Sequence, residues 1–133
     1  MATRILAHGI DIVEIARIER MQRDHGDRFL DRVFTPRERA YCSESKIAAI
    51  RLAGRFAAKE AVLKVLGTGW RGGIEWTDIE ILPDPLGKPI CTLHNQTAKL
   101  AAELGITQIL VSISHTAGLA TASAIGVGES NGE

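Results

Sequence analysis

With 133 residues the chain has room for one domain with a real core, but not for two. Its 16 basic and 16 acidic residues cancel, which argues against a general nucleic-acid binder, although a local basic ridge is still compatible. Cys42 and Cys91 lie far apart in no CxxC pattern, so neither a zinc site nor a disulfide framework is indicated. No stretch has the character of a signal peptide or the length of a membrane span, so a cytoplasmic protein without membrane contact is expected.

The first strand is expected at Arg4–Ile12, with Ile5, Leu6, Ile10 and Ile12 apolar and Gly9 marking a bulge or close approach. Asp11 interrupts it: an acidic residue in a mostly buried strand must be paired, bound to metal or turned outward. From Val13 the period becomes helical, with Ile15, Ile18 and Met21 on one face and Arg17, Arg20 and Arg23 on another. A short helix follows over Asp27–Val33. Thr35-Pro36-Arg37-Glu38 is a helix start, combining an N-cap threonine, an N1 proline and a capping-box glutamate, and that helix runs to about Ser43.

A long helix is expected from about Lys46 to Leu66, and Trp70–Gly73 is expected to be a flexible excursion after it. Trp76–Leu82 and Pro89–Leu93 pair as a hairpin around the Pro83–Gly87 turn. Asn95 is expected to cap a helix through Leu104. Strands Gln108–Ser114 and Leu119–Ile125 close the chain around a turn, His115–Gly118. Residues 1–125 thus form a single α+β domain, a small antiparallel sheet packed with one long and several shorter helices, and 126–133 a disordered polar tail.

Chemistry concentrates in the long helix. Leu52, Phe56, Leu63 and Leu66 form its apolar stripe, Lys59 points into that stripe, and Glu60 lies beside it with Lys64 one turn on. Gly67-Thr68-Gly69 follows, where glycine permits left-handed backbone and close approach by a ligand. Two readings stand. Glu60 and Lys64 make an i,i+4 ion pair worth a few tenths of a kcal/mol, roughly. Alternatively, Asp11 and Glu60 hold Mg²⁺ completed by a substrate phosphate, while Lys64 and the glycine turn neutralise the remaining charge. The glycines follow a helix and do not open one, so this is no P-loop.

Taken together, GIDIVEIARIE (Gly9–Glu19), RVFTPRERAYC (Arg32–Cys42), RLAGRFAAKEAVLKVLGTG (Arg51–Gly69), WTDIEI, GKP and SISHT resemble the holo-[acyl-carrier-protein] synthase family of 4′-phosphopantetheinyl transferases. The resemblance runs from Gly9 to about Ile125. It implies the fold of that family and transfer of phosphopantetheine from coenzyme A to a serine of acyl carrier protein. It further implies a Mg²⁺ requirement and a homotrimer with active sites between subunits.

By the same resemblance, Asp11 and Glu60 match metal-binding carboxylates, and Lys64 matches the lysine at the pyrophosphate. Gly67, Thr68, Gly69, His115 and Thr116 match the turns around coenzyme A. Lys46, Arg51 and Arg55 lie where the family places basic residues near the nucleotide, and Arg17, Met21 and Arg28 match the region that receives the acidic carrier. Ile47 departs from the basic residue found in some members. Two alternatives stay open: a transferase of the same fold serving polyketide or peptide carriers, and a non-enzymatic module that binds coenzyme A or a nucleotide.

Overall fold

The computed structural model describes residues 2–44 and 47–129. Strand β1 (Thr3–Glu14) leads into helices α1 (Ile15–His25), α2 (Asp27–Val33), α3 (Pro36–Ser43) and α4 (Ala48–Leu66). Strands β2 (Ile79–Pro83) and β3 (Pro89–Leu93), helix α5 (Asn95–Glu103), and strands β4 (Gln108–Thr116) and β5 (Leu119–Glu129) complete the chain. The strands form one sheet, in the order β1-β5-β4-β3-β2, with antiparallel neighbours throughout. The α+β expectation holds.

Local chemistry explains the helix boundaries. At the start of α3, Thr35 Oγ1 accepts from the Glu38 N–H at 3.1 Å, and Glu38 returns a carboxylate to the Thr35 N–H at 2.9 Å. Helix α4 is rich in alanine and leucine, both strong helix formers. It stops at Gly67, whose φ of 79° only glycine adopts without cost, and whose N–H reaches back to the Leu63 carbonyl at 2.9 Å.

Helix α4 lies across β1 and β5, and glycine sets how closely. A Cβ at Gly9 would stand 2.1 Å from the Ala61 carbonyl oxygen, so only glycine lets β1 touch the helix backbone there. Asp11, two residues on and therefore on the same face of β1, is thereby carried to Lys64. The core between helices and sheet is filled by Ile18, Phe34, Val62, Ile79 and Ile81. On the opposite face of the sheet Ile10, Ile12 and Leu110 stay exposed.

One polar cluster is sealed inside this core. Lys59 Nζ, fully buried, meets Glu38 Oε1 at 2.8 Å and also donates to the carbonyls of Trp76 and Ile79. The other oxygen of Glu38 accepts from the Ile81 N–H at 2.8 Å. Burial pushes the Lys59 ammonium below the usual lysine range, and Glu38 works against that shift.

Several sequence expectations are corrected. Trp76–Asp78 is a 3-10 turn and not the start of a strand, because Asp78 Oδ2 accepts from the Glu75 N–H at 3.1 Å and closes it. Asn95 does not cap α5. It has a φ of 52°, its side chain donates to Asp78 Oδ1, and His94 holds the N-cap position. His115 and Thr116 belong to β4, paired with Ala120 and Leu119, so the turn shrinks to Ala117-Gly118. Both turn residues have positive φ, 49° and 81°, as a two-residue hairpin matched to strand twist requires. Gly126–Glu129, expected in the disordered tail, extend β5; Gly128 packs against Gly105, where a Cβ would stand 2.2 Å from the carbonyl oxygen. Residues 130–133 and Lys46 lie outside the described residues.

Candidate active site

The crossing of β1 over α4 gathers three side chains. Lys64 Nζ donates to the Ile10 carbonyl at 2.7 Å and lies 3.4 Å from Asp11 Oδ1. It therefore turns toward the strand and makes no ion pair with Glu60. Its side chain is 54% exposed, so its charge is available to a ligand. Glu60 accepts from the Trp70 indole N–H at 3.4 Å. Burial holds the Glu60 carboxyl above the ordinary carboxylate range; the Asp11 charge adds to this, while Trp70, Lys64 and Arg17 oppose it.

Glu60 and Lys64, with Leu63, Gly67, Gly69 and Trp70, line a cleft of about 420 Å³. Thr68 opens instead on a neighbouring cavity with Arg71 and Lys99, and Gly67 borders both. No group of three or more metal-ligating side chains occurs among the described residues. Asp11 and Glu60 supply only two carboxylates, so any cation held there needs oxygens from a substrate and water.

On its other side Glu60 faces a groove of about 620 Å³. Arg17, Met21 and Arg28 line it together, as do Phe29, Phe56, Trp70 and Trp76. The aromatic wall is a stack: Trp70 lies on Trp76 with centroids 3.9 Å apart, Trp76 on Phe56 at 5.0 Å, and the Arg17 guanidinium sits 5.5 Å from the Phe56 centroid. The groove is thus basic at its rim and apolar at its floor, with one carboxylate at its end.

Two other predicted groups lie elsewhere. Arg51 and Arg55 face α3, where both guanidinium groups stack on Tyr41, at 4.3 and 4.5 Å from the ring centroid. Arg55 is 6% exposed, and its Nε has no hydrogen-bond partner among the described residues. His115 and Thr116 are exposed at the end of β4. His115 pairs with Ala120, which pairs with Val13, so His115 stands two strands, roughly 10 Å, from β1. Within one chain neither pair lines the Glu60–Lys64 cleft.

The sequence profile of the 4′-phosphopantetheinyl transferase superfamily matches residues 7–122. A relative from Koribacter versatilis, called holo-[acyl-carrier-protein] synthase, is 47% identical over 121 residues, spanning 91% of this chain and 97% of its own. The chain belongs to the holo-[acyl-carrier-protein] synthase family. Solved structures of the family agree in fold. The acyl carrier protein synthase of Plasmodium yoelii with ADP bound superimposes at a TM-score of 0.87 and 34% identity, covering 98% of this chain and all of its own. The holo-[acyl-carrier-protein] synthase of Helicobacter pylori in complex with coenzyme A gives 0.79 and 35%, covering 90% of this chain and 98% of its own. The expected phosphopantetheinyl transferase fold is therefore the fold observed.

Sequence reasoning passed over Trp70, Trp76 and Tyr41. The available signal was scarcity: only 2 tryptophans occur in the chain, and they flank one glycine-rich loop.

Proposed function

We propose that the protein transfers 4′-phosphopantetheine from coenzyme A to a serine of apo acyl carrier protein, releasing adenosine 3′,5′-bisphosphate. The reading places it in fatty acid biosynthesis in the cytoplasm, as a single Mg²⁺-dependent domain in a homotrimer. One observation carries it: Asp11, Glu60 and Lys64 meet at a cleft whose shared carboxylate also ends a basic, apolar-floored groove. The family membership and the coenzyme A complex of the Helicobacter relative support it.

The donor set fits a hard divalent cation. Two carboxylates close enough for Asp11 to raise the Glu60 pKa gain from a cation between them, and their oxygens suit Mg²⁺. Asp11 and Glu60 would hold it, and when bound it neutralises charge on the pyrophosphate. Lys64 binds a pyrophosphate oxygen from the open side and stabilises the charge that develops on the departing bisphosphate. The N–H groups around Gly67 and Gly69 face the same phosphates. Arg17, Met21 and Arg28 seat the acidic carrier, whose serine enters the cleft past Glu60. Glu60, common to both cavities, accepts the serine proton as the serine Oγ–phosphorus bond forms and the pyrophosphate phosphorus–oxygen bond breaks. The orphaned Nε of buried Arg55, together with Arg51 and Lys46, serves the nucleotide phosphate.

The trimer follows from the uncovered sheet face. Ile10 and Ile12 are 58% and 62% exposed there, and closed rotational symmetry would bury them without open polymerisation. It would also let His115 and Thr116 serve a neighbouring subunit's coenzyme A. Apo carrier incubated with coenzyme A, Mg²⁺ and the protein should gain the mass of one phosphopantetheine group; an unmodified carrier would overturn the reading. Sedimentation equilibrium should give a trimer at micromolar concentration. Co-refolding Lys64→Ala with His115→Ala chains should restore activity, whereas a fully active monomer would rule out the shared site.

A further inference from the structure

Trp70 occupies an unusual place. It and Glu60 are the two residues common to the cleft and the groove, so together they form the partition between them. The indole has one donor, and it points at Glu60 Oε1, 3.4 Å away. Its backbone gives it little support. Gly67, Gly69, Gly72 and Gly73, on both sides of it, all have positive φ, between 65° and 80°. A segment so rich in left-handed glycine has no secondary structure to fix the ring. The ring is held instead by the face of Trp76, which lies on Phe56 of α4. The order of support thus runs from the core through Phe56 and Trp76 to Trp70, and from Trp70 to the carboxylate.

Glu60 needs such a partner. Lys64 is turned away to β1, so the indole is the side-chain donor that Glu60 has within hydrogen-bond range. A carboxylate on a helix surface otherwise samples several rotamers, with entropy to lose on binding a ligand. Engaging Oε1 from the groove side leaves Oε2 for whatever occupies the cleft. We infer that Trp70 is a positioning residue, which holds Glu60 from the partition between the two cavities so that one defined oxygen is presented to a divalent cation. This rests on the reading of the cleft as a cation and pyrophosphate site. At 3.4 Å the hydrogen bond is long, so the stack on Trp76 sets the position and the N–H selects the oxygen.

The test is a cation titration of the whole protein in saturating coenzyme A, followed by calorimetry and by tryptophan emission. Trp70→Phe keeps a ring on Trp76 and removes the N–H. It should weaken Mg²⁺ binding roughly three- to ten-fold, the effect of one lost hydrogen bond, while leaving the carrier KM unchanged. In Trp76→Phe the remaining tryptophan is Trp70, and its emission should move when Mg²⁺ is added. In Trp70→Phe the remaining Trp76 should respond much less. Wild-type affinity in Trp70→Phe, or a silent Trp70 in Trp76→Phe, overturns the positioning role while the site reading stands. A wild-type protein that takes no Mg²⁺ in the presence of coenzyme A overturns the site reading itself, and this inference with it.

Discussion

Lys59 and Lys64 share one helix, and each faces a carboxylate, yet the fold puts them to opposite uses. Lys59 is wholly buried, and its three N–H bonds are committed to Glu38, Trp76 and Ile79. Lys64 is 54% exposed and loosely tied, 3.4 Å from Asp11. A buried lysine with every donor satisfied has nothing left for a ligand, and its removal exposes the partner's charge to the core. A half-exposed lysine beside an incompletely satisfied carboxylate contributes little to stability but keeps its charge available. Structure and chemistry are thus separated by about 140° around one helix.

The sharpest break is catalytic. Asp11→Ala, Glu60→Ala and Lys64→Ala should each cut carrier modification by roughly two to four orders of magnitude, as loss of charge stabilisation at a transition state does. Lys64→Ala should nevertheless unfold within about 1 kcal/mol of wild type, because its ion pair is exposed. Circular dichroism beside the rate measurement checks both halves. Lys59→Met should do the reverse. It strands Glu38 without its cation and should cost about 3–5 kcal/mol in urea denaturation, whereas Lys59→Met combined with Glu38→Gln should recover part of the loss.

A milder effect is expected in the groove. Arg17→Glu should raise the carrier KM severalfold more than the coenzyme A KM, and added salt should weaken the wild-type interaction through screening. Equal changes in both constants would remove Arg17 from the carrier surface.

The smallest effect separates stability from function at Glu60. Its folded pKa is raised, chiefly by burial, so the fold binds that proton more tightly than the unfolded chain does. The stabilising contribution is therefore present below the unfolded carboxylate pKa and is lost as pH rises through the folded value. At neutral pH the ionised Glu60 is a net cost. Glu60→Gln should melt slightly higher than wild type at pH 7, lose that advantage in acid, and be inactive throughout.

What the sequence made legible was local. Thr35, Pro36 and Glu38 announce a helix start because every partner lies within one turn. The discomfort of Asp11 inside an apolar strand was visible, since a lone carboxylate there demands a partner. Which partner it meets was not: Lys64 lies 53 residues away, and the contact exists because Gly9 lets β1 touch Ala61. Lys59 was seen to point into the apolar stripe, but Glu38 was already spoken for as a cap and did not suggest itself as the counter-charge. Its two oxygens do both jobs at once. The carrier-facing arginines were legible as a ridge, whereas the groove they border depends on Phe56, Trp70 and Trp76 coming together from α4 and the loop beyond it. His115 and Thr116 looked like turn residues because a positive-φ position at Ala117 gives no signal in sequence.

The central claim is that Asp11 and Glu60 form one cation site at the pyrophosphate of coenzyme A. Crystals grown with coenzyme A and Mn²⁺ in place of Mg²⁺ test it most directly through anomalous scattering. The account predicts one Mn²⁺ peak per chain, in coordination range of both carboxylates and of a pyrophosphate oxygen, with Lys64 Nζ turned from Ile10 to the phosphate. Coenzyme A bound with its pyrophosphate away from this cleft, or a Mn²⁺ peak that touches neither carboxylate, would contradict it.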